Sequence, residues 1–290
     1  MDVLSDAVTA ARVGRPRSTR RAHRAPFAGW HPQGEGAGFH VVLQGSCWLT
    51  RQDGDPVPLG VGDVVFLPHA CAHGLTDDPA TPPGARGEPG RPGGSTVLLC
   101  GAYPLDRART HPLLAELPEV IHLPARIGRN PALQAAVELL GLELDRPPSP
   151  GGDAAVPALL DLLLLYILRT WFEERPGEAD GWAAALKDPA VAAALRAIHE
   201  DPARQWSVES LGRQGGLSRA AFARRFATMV GRPPLAYLTW WRLTTAARLL
   251  RDSDAPLSAI AKQVGYGSEH ALAHAFKREY GLAPGAYRRD

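Results

Sequence analysis

Histidine and cysteine side chains that could bind a metal ion or react are concentrated in the first hundred residues. In the segment GDVVFLPHACAHGL (62–75), His69, Cys71 and His73 alternate along the chain, and His40 lies in another apolar run. In a strand, side chains two residues apart lie on one face, and imidazole and thiolate ligands suit zinc or a similar cation. The sequence therefore predicts a candidate metal site of His40, His69 and His73. A structural or small-ligand role for His40 and His73 is the favoured alternative.

The three cysteines, Cys47, Cys71 and Cys100, have no spacing typical of a disulfide framework. A thiol that senses oxidants must be accessible and have a low pKa. Cys71 lies between two histidines and is the best candidate for such a sensor. Burial as small apolar side chains is the commoner role of cysteines and is the alternative.

The elements around these residues are short and β-rich. Glycine, proline and aspartate separate the apolar runs, which is typical of a small antiparallel barrel or sandwich. A segment rich in proline and glycine, residues 77–95, is expected to be a mobile loop between two strands. The predicted strands cover residues 39–50, 57–59, 63–67 and 96–100.

Residues 131–175 change to a helical pattern. Leu133, Val137, Leu140 and Leu144 form an apolar stripe, and the nearly uniform apolar run that follows predicts a helix buried on several sides. This run is interrupted by proline and aspartate and is too short to span a bilayer. Residues 146–153 separate the two helices, and residues 175–189 are expected to be a linker.

A helix, a glycine-containing turn and a second helix are predicted at residues 206–226. Ser207 and Ser218 are suitable N-caps, and Gly215 and Gly216 allow the turn. Phe222 and Phe226 are four residues apart, so both face the core. The outer face of the second helix is small and cationic, as insertion into a DNA major groove requires.

The same pattern recurs at residues 257–279, where Ser268 is the expected N-cap of the second helix. Its predicted buried positions are Ala271, Leu272, Ala275 and Phe276. A long helix, residues 235–250, connects the two copies. Two DNA-reading helices held at a fixed distance by this connecting helix would enter successive major grooves about 34 Å apart.

The charge distribution supports nucleic-acid binding by the C-terminal part. Residues 189–290 carry 15 Lys and Arg against 8 Asp and Glu, whereas residues 1–188 carry 17 against 22. Cations that neutralise phosphates supply much of the affinity for DNA. Because the N-terminus has no continuous apolar segment typical of a signal peptide, a cytoplasmic location is expected.

The stretch 189–289 resembles the DNA-binding domain of the AraC/XylS transcription regulators, through LSRAAFARRF, GRPPLAYLTWWRL, IAKQVGYGSE and AFKREYGLAPGAYR in family order and spacing. The segments FHVVLQG and GDVVFLPHACAHGL resemble the two motifs of a cupin, a sensor fold common in this family. The resemblance implies dimerisation through the helices after the barrel. It also implies DNA contacts, in the capped helices, by Ser218, Arg219, Ala220, Ala223, Arg224 and Arg225, and by Ser268, Glu269, His270, Ala273, His274, Lys277 and Arg278. Among these, Arg225, Lys277 and Arg278, together with Arg232, are expected at phosphates.

The sequence thus predicts an α+β protein of two domains, a cupin-like β-barrel followed by helices and an all-α domain with two helix-turn-helix motifs. The expected ranges are 1–125 for the sensor, 126–188 for a helical connector and 189–290 for DNA binding. The expected protein is a non-enzymatic, homodimeric regulator that binds double-stranded DNA, and RNA polymerase if it activates. It has no membrane partner and no cofactor beyond the candidate metal. His40, Cys47, His69, Cys71, His73 and Cys100 are its candidate effector-sensing residues. A metal-dependent cupin enzyme fused to a DNA-binding module and an architectural DNA-binding protein with an inert barrel are the alternatives.

Overall fold

The computed structural model describes residues 2–80, 95–105, 111–126, 129–147, 150–174 and 181–289. The chain divides into two compact units. The strand-rich unit consists of Ala11–Thr110 and Leu117–Arg175, and the helical unit consists of Met1–Ala10, His111–Glu116 and Pro176–Asp290. The domain boundaries at 125 and 188 stay a prediction, and residues 81–94 of the expected mobile loop lie outside the described residues.

Within the described residues, nine strands form two antiparallel sheets. The five-stranded sheet has the order β1-β8-β3-β6-β9, and the four-stranded sheet has the order β2-β7-β4-β5. The bounds are β1 Arg17–Arg24, β2 Ala28–His31, β3 Ala37–Gln44, β4 Cys47–Thr50, β5 Val57–Leu59, β6 Val64–Leu67, β7 His73–Thr76, β8 Ser95–Tyr103 and β9 Ile121–Leu123.

The two sheets pack face to face and do not close into the predicted barrel. The run 39–50 was expected to form one strand, but the chain turns after Gln44, so β3 and β4 belong to different sheets. Because hydrogen bonding does not continue from one sheet to the other, the architecture is a sandwich. Its core contains Val42 and Leu98 from one sheet and Leu49 and Leu75 from the other.

Strand β1 is absent from the sequence-based prediction because its side chains give no alternating apolar pattern. Its sequence, RSTRRAHR, leaves most side chains exposed. It is held at the edge of the sheet by antiparallel pairing with β8 along its whole length, from Arg17 opposite Ala102 to Arg24 opposite Ser95. The position of β1 is therefore determined by main-chain hydrogen bonds to β8 and not by burial of its side chains.

Helices α3 and α4 confirm the helical pattern after the sheets. Helix α3 covers Pro131–Asp145 and α4 covers Gly152–Glu173. Among the described residues, α4 is the one helix whose length and composition would suffice to cross a membrane. Core helices of soluble proteins pass the same test, and Leu160, Leu163 and Ile167 of α4 are fully buried here.

The helical unit forms from two short N-terminal segments and the C-terminal part of the chain. Residues 181–187, expected in a linker, instead form a helix whose Trp182 is 1% exposed. An indole of this size contributes a large apolar area to a core, so this helix is part of the packed unit. The helices are α1 Val3–Ala11, α2 Pro112–Ala115, α5 Gly181–Lys187, α6 Pro189–Glu200, α7 Val208–Gln214, α8 Arg219–Val230, α9 Pro234–Asp252, α10 Leu257–Gln263, α11 Glu269–Tyr280 and α12 Pro284–Tyr287.

Candidate nucleic-acid interface and histidine cluster

Helices α7 and α8 occupy the first predicted helix pair and begin at the predicted caps. The Ser207 hydroxyl accepts a hydrogen bond from the Ser210 amide, and the Ser210 hydroxyl accepts one from the Ser207 amide. Ser218 caps α8 by accepting from the Ala221 amide at 3.4 Å. These side chains satisfy amides that have no partner inside the helix, which explains why both helices start at these serines.

Helix α8 presents one buried and one exposed face, as the sequence predicts. Phe222 and Phe226 are fully buried, with their ring centroids 5.5 Å apart. Arg219, Ala220 and Arg224 are exposed. The aromatic pair therefore fixes the rotation of the helix and directs two guanidinium groups and a small side chain outward.

Helix α11 repeats this arrangement in the second helix pair. The Ser268 hydroxyl accepts from the Ala271 amide at 3.1 Å, and Leu272 and Phe276 are fully buried. Glu269 and His270 are exposed, as is His274. The prediction that Ala271 is buried is wrong: its side chain is exposed, because this position lies on the first turn, one residue before the buried stripe begins.

The two capped helices expose chemically different groups at the same distance from their caps. The residues one, two, five and six positions after Ser218 are Arg219, Ala220, Ala223 and Arg224. After Ser268, the same positions hold Glu269, His270, Ala273 and His274. The core positions four and eight residues after each cap are Phe222 with Phe226 and Leu272 with Phe276. The exposed faces of α8 and α11 thus have equivalent positions but carry different hydrogen-bonding side chains.

Four cationic side chains were expected to contact phosphates, and their surroundings in the structure differ from one another. Arg225 forms an ion pair with Asp188, which also accepts from two amides at the start of α6. The Arg232 guanidinium lies over the Trp240 ring, 5.5 Å from its centroid. Lys277 and Arg278 are exposed on α11. In this conformation, the guanidinium of Arg225 is therefore already partnered by a carboxylate.

In the strand-rich unit, three histidines from both sheets lie together. The potential ligand nitrogens of His31, His40 and His73 all lie within 4.8 Å of one another. His31 lies opposite His73 in the pairing of β2 with β7, and their rings stack at 4.9 Å. His40 comes from β3 of the other sheet, and its Nε2 lies 2.8 Å from Nε2 of His73.

The electrostatics of the cluster keep its imidazoles neutral. Desolvation, with a smaller contribution from the neighbouring histidines, lowers the pKa of His40 well below its usual value. Burial also lowers the pKa of His73 to about 4. The Nδ1–H of His73 can donate to the Cys71 carbonyl at 2.7 Å, which leaves Nε2 as an acceptor. Neutral imidazoles with a free lone pair are the form in which histidine binds metals.

The predicted set of His69, Cys71 and His73 on one strand face is wrong in its geometry. Residues 68–72 form a turn in which Ala70 has a φ of 43°, and β7 begins only at His73. His69 Nε2 instead lies 2.8 Å from the Leu117 carbonyl oxygen, and the Cys71 thiol donates to the Glu119 carbonyl at 3.6 Å. Because a turn has no period of two, His69 and Cys71 are not brought into the histidine cluster.

None of the cysteines has the low pKa that a reactive thiol requires. Burial raises the pKa of Cys47 and of Cys100 to about 12. For Cys71, burial and then the charge of Glu119 raise the pKa. This environment does not favour a thiolate at Cys71, and its role as a sensor stays a prediction.

Two members of the histidine cluster line a depression in the protein surface. A depression of about 260 Å³ is lined by His31, His40 and Cys100 together with residues of β1. His40 Nδ1 is buried without a hydrogen-bond partner among the described residues. His31 was missed by sequence reasoning because only the pairing of β2 with β7 brings it beside His73. A solute in this depression would lie beside the imidazoles of His31 and His40.

Known proteins resemble both parts of the chain. A family model described as Cupin matches residues 2–173, and one described as Helix-turn-helix domain matches residues 211–290. A putative AraC-like transcription regulator of Streptomyces antibioticus is 38% identical over 263 residues, 87% of this chain and 86% of that protein. The HTH-type transcriptional regulator AlkR of Acinetobacter baylyi is 32% identical over 268 residues, 87% of each. The solved DNA-binding domain of AdpA, in complex with a target DNA, is 35% identical, covers 35% of this chain and 91% of its own, and has a TM-score of 0.33.

Proposed function

The chain belongs to the AraC-like transcription regulators, with a cupin part and a helix-turn-helix part, and from this premise we propose that α8 and α11 are its two DNA-reading helices. Its relatives are named as regulators, so it is a DNA-binding transcription regulator and not an enzyme. We assign α7 with α8, and α10 with α11, to two helix-turn-helix motifs. The fused metal-dependent enzyme considered from the sequence is therefore set aside.

The observation that carries this proposal is the equal register of the exposed groups on the two capped helices. Arg219 and Arg224 offer guanidinium donors that suit guanine O6 and N7, whereas His270 and Glu269 offer a mixed set of donors and acceptors. Ala223 and Ala273 are half-buried at the centre of each outer face, so neither blocks close approach to a groove. The two helices would therefore read different base pairs in successive major grooves.

The phosphate contacts are proposed for a different set of cations. Lys277 and Arg278 are exposed beside the α11 reading face and suit the backbone, which positions a protein without specifying sequence. Arg225 would first have to leave Asp188. The exposed serine caps complete the proposed DNA contacts, since helix N-termini bind phosphate oxygens.

Fluorescence anisotropy with a labelled copy of the upstream region of its own gene tests this function. The double variant Arg219→Ala with His270→Ala should bind more weakly by roughly 30-fold or more, because it removes two base contacts of about 1–3 kcal/mol each. Arg196→Ala, an exposed arginine on α6, is the matched control and should bind as the wild type does. Unchanged affinity of the double variant would refute the assignment of the reading faces.

We further propose that the N-terminal part senses an effector at the histidine cluster, and that this effector is a divalent metal such as zinc. The lowered pKa values of the three imidazoles and the depression beside His31 and His40 support this choice. A tetrahedral zinc ion with Zn–N bonds of about 2.0–2.1 Å separates its ligand nitrogens by roughly 3.3 Å. The 2.8 Å between His40 and His73 would therefore have to widen by a few tenths of an ångström, which a rotation of either ring provides.

Calorimetric titration of the full-length protein with zinc tests the effector site, and DNA affinity is measured with and without the metal. His73→Gln and His40→Gln should abolish binding, whereas His69→Gln, the control outside the cluster, should leave it intact. Equal binding by all three variants would exclude this site. A metal-independent DNA affinity would instead favour a small organic ligand, or the architectural alternative if no ligand changes the affinity.

The remaining proposals concern assembly and location. Leu139 and Leu142 on α3 are more than half exposed, at 52% and 56%, which supports a homodimer with contacts through this helix. Sedimentation analysis of the Leu139→Lys variant, expected to be monomeric, tests the contact. We propose a cytoplasmic location, and RNA polymerase as a partner if the protein activates transcription.

A further inference from the structure

Two segments of the N-terminal half are built into the helical unit. Helix α1 and the segment around α2 are distant in sequence from α5–α12, yet they cluster with them. In α1, Val3 and Ala7 are buried, and so is Val8. This nine-residue helix thus clusters with the unit that carries the proposed DNA-reading helices, and its apolar side chains are buried.

The carboxylate of Asp6 connects α1 to α6 through a hydrogen bond with His199. Asp6 is 6% exposed, and its Oδ2 lies 3.0 Å from Nδ1 of His199 on α6. The side chain of His199 is fully buried. A buried carboxylate is stable only with a hydrogen-bonding partner, so the position of α1 depends on this contact.

The hydrogen bonds continue through Tyr237 of α9 to His111, which precedes α2. Nδ1 of His111 accepts from the Leu113 amide at 3.1 Å, so its Nε2 carries the proton and donates to the Tyr237 oxygen at 3.1 Å. The Tyr237 hydroxyl then donates to Nε2 of His199 at 2.7 Å, and Nδ1–H of His199 donates to Asp6. When each hydrogen bond is donated in the direction from His111 to Asp6, each of these side chains has its partners and both imidazoles are neutral.

Burial agrees with this assignment, because desolvation is the largest effect that lowers the pKa of His111 and of His199. Packing strengthens the same region. The His199 ring stacks on Trp241 at 3.9 Å, and the His111 ring lies 5.0 Å from Trp182. A hydroxyl lost from the centre would leave two polar nitrogens buried without partners.

Tyr237 also touches the first proposed reading helix. Its ring lies edge-on to Phe226 at 5.8 Å, and Phe226 is one of the two aromatic side chains that fix the rotation of α8. A displacement of Tyr237 is therefore transmitted to the helix that exposes Arg219 and Arg224.

Both segments are joined along the chain to strands of the strand-rich unit. Helix α1 precedes β1, α2 follows β8, and these two strands pair along eight residues. Strand β8 also pairs with β3, with Cys100 opposite His40.

We propose that His199 and Tyr237 form an interaction surface of the DNA-binding unit whose partner is α1 and α2 of the same chain, and that this docking holds α8 in its DNA-binding arrangement. The proposal rests on the function proposed above. Release of α1 and α2 lowers DNA affinity, because it removes the hydrogen-bond partners of His199 and Tyr237, and Tyr237 packs against Phe226 of α8.

Hydrogen exchange of the full-length protein, read by mass spectrometry without DNA, measures the docking of residues 2–10. In Tyr237→Phe the ring stays and two hydrogen bonds are lost, so these amides should exchange about tenfold faster. DNA affinity, measured separately, should fall by roughly the same factor. Tyr103→Phe is the matched control, because Tyr103 is a buried tyrosine of the other unit whose hydroxyl donates to the Leu160 carbonyl at 2.8 Å; it should change neither measurement.

Unchanged exchange of residues 2–10 in Tyr237→Phe would overturn the docking surface. Faster exchange with unchanged DNA affinity would overturn the effect on α8. If Tyr237→Phe unfolds the unit, Asp6→Ala replaces it, since this change on α1 removes the acceptor of the His199 Nδ1–H and is expected to give the same pair of results. Wild-type protein that protects residues 2–10 but binds no DNA would refute the proposed function and leave the docking supported.

Discussion

The two turns that precede the proposed reading helices provide a matched pair of glycines. Gly216, between α7 and α8, has a φ of +70°, and a Cβ added there would meet no atom within 4 Å. Gly265, between α10 and α11, has a φ of +86°, and a Cβ there would lie 2.7 Å from the Ala203 Cα and 2.8 Å from its carbonyl oxygen. Replacement by alanine therefore strains both backbones but creates a clash with main-chain atoms only at Gly265.

The expected magnitudes follow from this difference. An L-residue in the left-handed region costs about 1–2 kcal/mol, and this is the whole effect expected for Gly216→Ala. Overpacking against a backbone that cannot move aside adds about 1–3 kcal/mol, so Gly265→Ala should lower the free energy of unfolding by roughly 3 kcal/mol in total. Because Gly265 precedes α11, its replacement should also weaken DNA binding more than that of Gly216.

Urea-induced unfolding of the full-length variants, followed by circular dichroism and fitted with separate transitions for the two units, measures this difference. Fluorescence anisotropy gives the DNA affinity of the same preparations. Equal loss of stability in the two variants would refute the reasoning, because the contact with Ala203 would then add nothing to the backbone strain.

Three further predictions concern ionisable groups. Because burial lowers the pKa of His111, the unfolded chain binds a proton at this side chain more readily than the folded protein does. The free energy of unfolding should therefore be highest above pH 6.5 and decrease below it by up to about 1.4 kcal/mol per pH unit. Urea midpoints measured at pH 7 and 5.5 would show this decrease. The raised thiol pKa values of Cys47 and Cys100 predict that iodoacetamide at pH 8 modifies both far more slowly in the native protein than in urea, and fast native labelling would contradict this. Asp188→Asn retains an acceptor for the start of α6 but frees Arg225. If that guanidinium then binds phosphate at the roughly 1 kcal/mol of a surface charge pair, DNA affinity measured by anisotropy should rise by about fivefold.

Local signals in the sequence were sufficient for the C-terminal elements. Ser207, Ser218 and Ser268 cap the helices at which they were predicted, because a cap acts on amides two or three residues away. Phe222 and Phe226 lie in the core as predicted, because a spacing of four places them on one face of a helix. The family resemblance drawn from these motifs is confirmed by the relatives.

The N-terminal half was predicted less well because its structure depends on pairing between distant residues. Strand β1 has no apolar alternation, and its position follows from hydrogen bonds to β8. The strand assumed for His69 and Cys71 is a turn, where Ala70 has a positive φ. The sandwich replaced the expected barrel because β3 and β4 join different sheets.

The sequence by itself determined the layout of a strand-rich N-terminal part and a helical C-terminal part, the two helix pairs with their caps and buried aromatic side chains, the membership in a regulator family and the basic character of the C-terminal part. These depend on spacings of two to four residues and on composition, so they are readable along one segment. Tertiary structure alone decided that His31 joins His40 and His73, that Asp188 holds Arg225, and that α1 and α2 belong to the helical unit. Such contacts join residues far apart in the chain, up to 193 positions for Asp6 and His199, and only the packing of whole elements specifies which side chains meet.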